Sequence, residues 1–283
     1  MIIIAFPSGN HSNRLFQNLH FEAFCKEYNI DYINPTFLDM YKYYMSPCKL
    51  NKGLKGRFVT KNNLFLRVLR KTKIFNNRNN IISFDNDDAN SENVEKNILK
   101  LLYYAELGNV YVGGYYFRVN KIAAKYQDYF IKNYTLKNEY IADNKLLILI
   151  NKLKLELFVI VGIHIRRGDY KFWRDGKYYF DDSLYDYYMT CMSNEIKRIY
   201  NRKCLFIIFS NETISINEND YIIKSDNEWY VDQFIMSKCD YLIGPPSSFT
   251  LWASYIGKVK LFTIKNINCN FSLDNFLVCN GFC

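Results

Sequence analysis

The stretch "FVIVGIHIRRGDY", residues 158–170, decides how the chain is read. Its first half is an unbroken apolar run rich in β-branched residues, the pattern of a strand buried on both faces. Its second half carries His164, one of only three histidines, then Arg166 and Arg167, and breaks into Gly168-Asp169. A strand with no polar face belongs in a parallel sheet covered by helices. The segment therefore predicts an α/β protein with two guanidinium groups at a strand's C-terminal end.

Outward from that strand the alternation continues. "DSLYDYYMTCMSNEIKRIY" (182–200) has helical spacing with Asp182 or Ser183 as its cap, and "CLFIIFS" (204–210) reads as a strand. Then "YIIK" (221–224) is extended, "EWYVDQFIMSKC" (228–239) helical, "DYLIG" (240–244) extended, "SSFTLWASYIG" (247–257) helical and "KVKLFTI" (258–264) extended. At the other end, "MIIIAF" stops at Pro7-Ser8-Gly9-Asn10, helical spacing follows through Leu15, Leu19, Ala23 and Cys25, and "IDYI" resumes an extended pattern. That is the opening of a βαβ unit. The middle holds a strand-like "NVYVGGYYF" (109–117) and helices from Val119 to Ile150, with no repeat and no long linker. The chain divides on this pattern into domains 1–150 and 151–283.

In open parallel sheets ligands sit at the C-terminal strand ends, which is where both arginines fall. A guanidinium is always charged and offers a planar fork that matches phosphate oxygens, so a diphosphate is the natural partner. The competing structural account pairs one arginine with Asp169 and leaves the other on the surface. A second element is "GPPSSF" (244–249), a strand end running through Pro245-Pro246 into Ser247-Ser248-Phe249 at a helix start. Backbone N–H groups and hydroxyls there form an anion site, though a plain N-cap has the same residues. A third is the polar loop "PSGNHSNRLFQ" (7–17), where Asn10, His11, Asn13 and Arg14 are either hydrogen-bonding groups at a site's mouth or an ordinary capped turn.

Together the three elements resemble the α-1,2-fucosyltransferases of bacterial type, within the wider α-1,2, α-1,6 and protein O-fucosyltransferase superfamily. "HIRRGD" matches the superfamily's His-x-Arg-Arg-x-Asp signature. Asp232, Asp240 and Ser247-Ser248-Phe249 match its C-terminal motif, and "GNHSNRLFQ" is similar to the glycine-rich first loop of the bacterial enzymes. The resemblance implies a GT-B-like α/β fold of two Rossmann-like domains facing across a cleft, with the 1–150 domain on the acceptor side and the 151–283 domain holding GDP-β-L-fucose. Arg166 would contact the β-phosphate with Arg167 assisting. His164 would approach the nucleotide and Asp232 the guanine. Ser247, Ser248 and Phe249 would hold the diphosphate, and Asn13 with Arg14 would line the first loop's side. It further implies inverting transfer of fucose to an oligosaccharide or lipid-linked glycan, such as a lipopolysaccharide or capsule precursor, with no metal and no cofactor besides the donor substrate. The general base is open, with Asp169 and Asp175 as candidates. Two departures stand out. Asn10 and Ser12 occupy positions where the family has glycines, and Ser210-Asn211-Glu212 replaces an acidic Ser-Asp-Asp/Glu.

Composition bounds the alternatives. Half of the 283 residues are apolar, enough for sizeable cores. The start lacks the basic, apolar pattern of a signal peptide, and Lys152, Lys154 and Glu156 interrupt the longest apolar region, so a cytoplasmic protein is expected. Eight scattered cysteines without a C-x-x-C pair favour free thiols. The net charge of +9 is concentrated: between Met40 and Phe84 stand eleven Lys or Arg and no acid. That segment, Lys42 to Arg78, is either a solvated face or a peripheral contact with an anionic inner membrane face. Nucleic-acid binding is not expected, because the charge lies away from the two phosphate-ready motifs; a basic RNA- or glycan-binding module is the non-enzymatic alternative. A metal-dependent glycosyltransferase using Asp85-x-Asp87 in "IISFDNDD" is the enzymatic one.

Overall fold

A computed structural model describes residues 1–49, 80–84 and 91–281. The chain forms two compact units, Met1–Tyr134 joined by Asn280 and Gly281, and Thr135–Cys279. Both are α/β. Much of the basic segment 42–78 and the pair Asp85 and Asp87 lie outside the described residues.

The N-terminal unit contains β1 (Ile2–Ile4), α1 (His11–Glu27), β2 (Tyr32–Ile33), β3 (Asn80–Ser83), α2 (Ser91–Leu107), β4 (Val110–Gly113), α3 (Asn120–Lys125) and α4 (Gln127–Asn133). Its strands pair in the order β2-β1-β4-β3, all parallel. Three consecutive isoleucines make β1 a strand buried on both faces. The helical spacing of Leu15, Leu19, Ala23 and Cys25 is satisfied, since all four are buried. Phe117 fixes α1 to the loop after β4, stacking on Phe21 at 4.7 Å and meeting Phe24 edge-on at 5.6 Å. Helix α1 also buries polar residues. Gln17 Nε2 donates to the carbonyl of Phe6 (2.8 Å) and of Gly114 (3.1 Å). Glu22 accepts from Tyr129, Tyr134 and Asn18 at 2.8, 2.5 and 2.9 Å. Buried groups of this kind are costly unless bonded, so these bonds hold the helix in one register.

The C-terminal unit contains α5 (Lys145–Leu155), β5 (Val159–Ile165), α6 (Asp182–Tyr200), β6 (Cys204–Ser210), β7 (Ile222–Lys224), α7 (Trp229–Met236), β8 (Tyr241–Gly244), α8 (Ser248–Gly257), β9 (Lys260–Thr263) and β10 (Leu277–Val278). The sheet order is β10-β9-β8-β5-β6-β7. Only β10 runs antiparallel, against β9. Numbered from β5 in chain order, this is the doubly wound 3-2-1-4-5-6 arrangement of a dinucleotide-type domain. Every residue of β5 is buried, as its lack of a polar face requires. The apolar region before it is not one element: α5 ends with Lys152 and Lys154 in its last turn, and Leu157 turns the chain at φ 64° into β5. Helix α6 ends on Asn201 in the left-handed conformation (φ 52°), which asparagine tolerates.

Among the described residues all cysteines are free thiols, five of them buried. No helix among them is long and apolar enough to cross a membrane.

Candidate functional site

The connection order of the C-terminal sheet reverses between β5 and β8. In open parallel sheets the ligand crevice lies at such a switch point, beyond the carboxyl ends of the strands. The residues leaving those two ends are Arg166-Arg167 and Pro245-Pro246-Ser247-Ser248. Gly244 allows the close approach: a Cβ there would lie 3.0 Å from both the Cβ and the carbonyl oxygen of His164.

The adjacent arginines do different work. Arg166, with its side chain 25% exposed, donates one hydrogen bond to Asp169 Oδ1 at 2.7 Å and lies 5.5 Å from the centre of the Tyr170 ring. Asp169 is mostly exposed, so this pair is weak, about 0–1 kcal/mol, and exchangeable for a ligand oxyanion. Arg167 is buried. Its guanidinium donates to the carbonyl of Phe180 and to Asp182 Oδ1, and its face covers the Tyr179 ring at 4.8 Å. Its fork is engaged by the protein itself. The cap of α6 is Asp181 rather than the expected Asp182 or Ser183, and the Asp182 carboxylate takes Arg167 and the N–H of Ser215. The Arg167 N–H donates to Asn211 Oδ1 at 2.9 Å, and Gly168 turns at φ 61° with the Asn211 amide 3.0 Å from where a Cβ would sit. Asn211, the departure noted in the sequence, thus shapes the turn that presents Arg166.

On the opposite side, Pro245-Pro246 ends β8, since neither proline can donate to the ladder. Ser247 caps α8, accepting from the Phe249 N–H at 3.3 Å. No acidic side chain stands in the first turn of α8 to offset its positive dipole end. Two bonds tie this turn to the arginine strand. Tyr170 donates to the carbonyl of Pro246 at 2.5 Å, its phenol held protonated by burial. His164 Nδ1 lies 2.7 Å from Thr250 Oγ1, and its ring packs 5.4 Å from Phe249. Burial, then the nearby Arg166 charge, lowers the His164 pKa to about 3, so it stays neutral. Tyr170 and Thr250 were not singled out by the sequence. Each is an aromatic or hydroxyl residue on an element already recognised, and only the fold turns it toward the site.

Asp232, in the first turn of α7, accepts from Ser225 Oγ at 2.5 Å, and Ser225 in turn accepts from Asn227 Nδ2 at 2.8 Å. Burial raises its pKa to about 6, against the Ser225 and Asn227 hydrogen bonds that lower it. Asp240 serves the framework. It accepts from the Ile160 N–H at 2.8 Å and from Lys154 at 2.9 Å, pinning the start of β5.

Asp175 is exposed in a left-handed turn with Arg174 (φ 57° and 50°). Asn13 and Arg14 belong to the N-terminal unit, in the first turn of α1. The Arg14 guanidinium is bound to Asp39 and to the carbonyl of Thr36, and so holds the helix start to the 35–39 turn. Among the described residues no group of three or more His, Cys, Asp or Glu is arranged to hold a metal ion.

No family model and no curated protein matches the chain. Solved structures do. FUT1 of Arabidopsis thaliana, a single-substitution mutant in complex with GDP, is similar at a TM-score of 0.55 and 9% identity, over 93% of this chain and 70% of that one. The fucosyltransferase NodZ from Bradyrhizobium is similar at a TM-score of 0.51 and 13% identity, over 97% and 96%. The chain has the GT-B-like fold of these fucosyltransferases. NodZ α-1,6-fucosyltransferase soaked with GDP-fucose is similar at a TM-score of 0.50 and 12% identity, again over 97% and 96%.

Proposed function

We propose that the chain is an inverting glycosyltransferase that moves L-fucose from GDP-β-L-fucose to a galactose-type hydroxyl of a surface glycan or its lipid-linked precursor, in α-1,2 linkage. One observation carries this: a partly exposed, weakly paired arginine and the acid-free N-terminus of α8 flank a single topological switch point. That is a cradle for one diphosphate. The structural neighbours' complexes with GDP and GDP-fucose support guanosine diphosphate as the leaving group.

In this account the donor's β-phosphate displaces Asp169 from Arg166. As the sugar–phosphate bond breaks, negative charge grows on the leaving oxygen, and a fixed guanidinium stabilises it more in the transition state than before. Ser247, Ser248 and the Phe249 N–H hold the diphosphate. His164 and Arg167 are positioning residues, the first for the α8 turn and the second for the Arg166 turn. Asp232 accepts from the guanine N1–H and 2-amino group. Asp169, released from Arg166, becomes free to take the acceptor hydroxyl's proton, with Asp175 as the other candidate. The donor belongs to the 151–283 part.

A thermal-shift screen of GDP, UDP, ADP and CMP tests the donor assignment. GDP alone should stabilise the protein strongly; selective stabilisation by UDP would overturn it.

A further inference from the structure

The segment after the arginines carries a surface feature that donor binding leaves unused. Two short turns of 3-10 helix, Gly168–Lys171 and Trp173–Gly176, fold it against itself, with the Phe172 N–H donating to Asp169 O and the Tyr179 N–H to Gly176 O. Gly176 turns at φ 73° with the Lys171 carbonyl 3.1 Å from where a Cβ would sit, so the two turns close on each other. Three rings form a ladder: Tyr170 to Trp173 at 4.8 Å, and Trp173 to Tyr178 at 5.3 Å. The inner ring, Tyr170, lies beside Arg166. The outer surface is unusually apolar for a solvated turn, with Phe172 79% and Trp173 39% exposed.

Cations rim this surface. Lys171 Nζ lies 5.9 Å from the Phe172 ring, Arg174 Cζ 5.2 Å from Trp173, and Lys177 Nζ 5.5 Å from Tyr178. Among the described residues none of the three makes an ion pair, and Asp175 is the one acid between them. Exposed apolar surface rimmed by polar groups is the form that a binding surface takes. A pyranose presents an apolar C–H face to an aromatic ring, and lysine and arginine bind phosphate or carboxylate oxygens.

We infer that residues 170–179 are an acceptor platform for an anionic glycan, in which Phe172 and Trp173 receive the face of the acceptor pyranose and Lys171, Arg174 and Lys177 bind a phosphate or carboxylate carried on it or on the next sugar. The charge chooses between glycan classes: a neutral acceptor would leave three unpaired cations unused. The ring ladder places this platform directly beside the arginine proposed to hold the donor phosphate. The inference rests on the transfer reading for its meaning but is tested apart from it.

Lactose, lactose 1-phosphate and a uronic acid-containing disaccharide serve as probes, with direct binding read by tryptophan fluorescence in the presence of GDP. Lactose 1-phosphate should quench fluorescence at concentrations about ten-fold lower than lactose, and the signal should be lost in Trp173→Phe. The uronic acid probe separates phosphate from carboxylate preference. In turnover with GDP-fucose, Phe172→Ala should raise the acceptor KM several-fold, by about the worth of one ring contact, with an unchanged KM for the donor. The triple variant Lys171→Ala, Arg174→Ala, Lys177→Ala should make charged and neutral probes equivalent. Binding without turnover would leave the platform standing and sink the transfer reading. Turnover with wild-type acceptor KM values in both variants would do the reverse. Tight binding to phosphatidylglycerol vesicles that is lost in Phe172→Ala, with no response to any sugar probe, would make the surface a membrane contact and overturn the inference.

Discussion

Replacing Asp232 by Asn should make the unliganded protein more stable and disable it at once. In the folded chain burial lifts the Asp232 pKa to about 6, from an ordinary value of 3.8. The folded state therefore keeps a proton that the unfolded state loses. The stability this group confers is complete below pH 4 and is lost as the pH rises through 6. Each pKa unit is worth 1.36 kcal/mol, so the two-unit gap amounts to about 3 kcal/mol, and about 1–3 kcal/mol after allowing for the part of the carboxyl that water reaches. Asparagine keeps the oxygen that accepts from Ser225 and carries no charge. Melting temperatures of wild type and Asp232→Asn should coincide near pH 4, separate between pH 4 and 6, and differ by about 3–10 °C at pH 7.5. With GDP the order should reverse. An amide cannot accept from both the guanine N1–H and its 2-amino group, and its own N–H faces a donor, so GDP affinity should fall about a hundred-fold. Parallel melting curves from pH 4 to 8, or unchanged GDP affinity, would refute the reasoning.

Other outcomes follow from the same geometry. Arg167→Ala should cost about 2–4 kcal/mol by stranding the Asp182 carboxylate and the Phe180 carbonyl, visible as a lower denaturation midpoint in urea. Gly244→Ala should push β8 from β5 against the His164 backbone, costing about 1–3 kcal/mol in the same titration and weakening GDP binding with it. Asp169→Asn should remove the acidic limb of the pH profile of kcat/KM if Asp169 is the base; a profile unchanged there but altered in Asp175→Asn would move the role to Asp175.

The layered α/β character was open to sequence reading because it is local. The apolar run 159–165 and the alternating segments from 182 to 263 announce their own periods, and the structure's elements fall on them, with the largest end shift at α7, which stops at Met236 rather than Cys239. Strand order was not legible, since whether β8 pairs with β5 depends on residues about eighty apart in the chain. The division of labour between Arg166 and Arg167 was equally hidden. Neighbours at a strand end point to opposite sides, and only the positions of Asp182 and Phe180 reveal which one is taken. Tyr170 and Thr250 tie the two motifs together through long-range bonds that no spacing encodes. The buried Glu22 network of α1 shows the same limit: a polar residue on a helix reads as surface until its tyrosine partners close around it.

The central claim is that one arginine at a switch point supports departure of a nucleoside diphosphate. Release of GDP from GDP-fucose, followed with a galactose-terminated acceptor in wild type and Arg166→Ala, tests it most directly. The account predicts turnover in wild type and a loss of about a hundred- to a thousand-fold in kcat in the variant. The melting temperature should stay within a few degrees, because only an exposed ion pair is removed. GDP release by Arg166→Ala at the wild-type rate would contradict it.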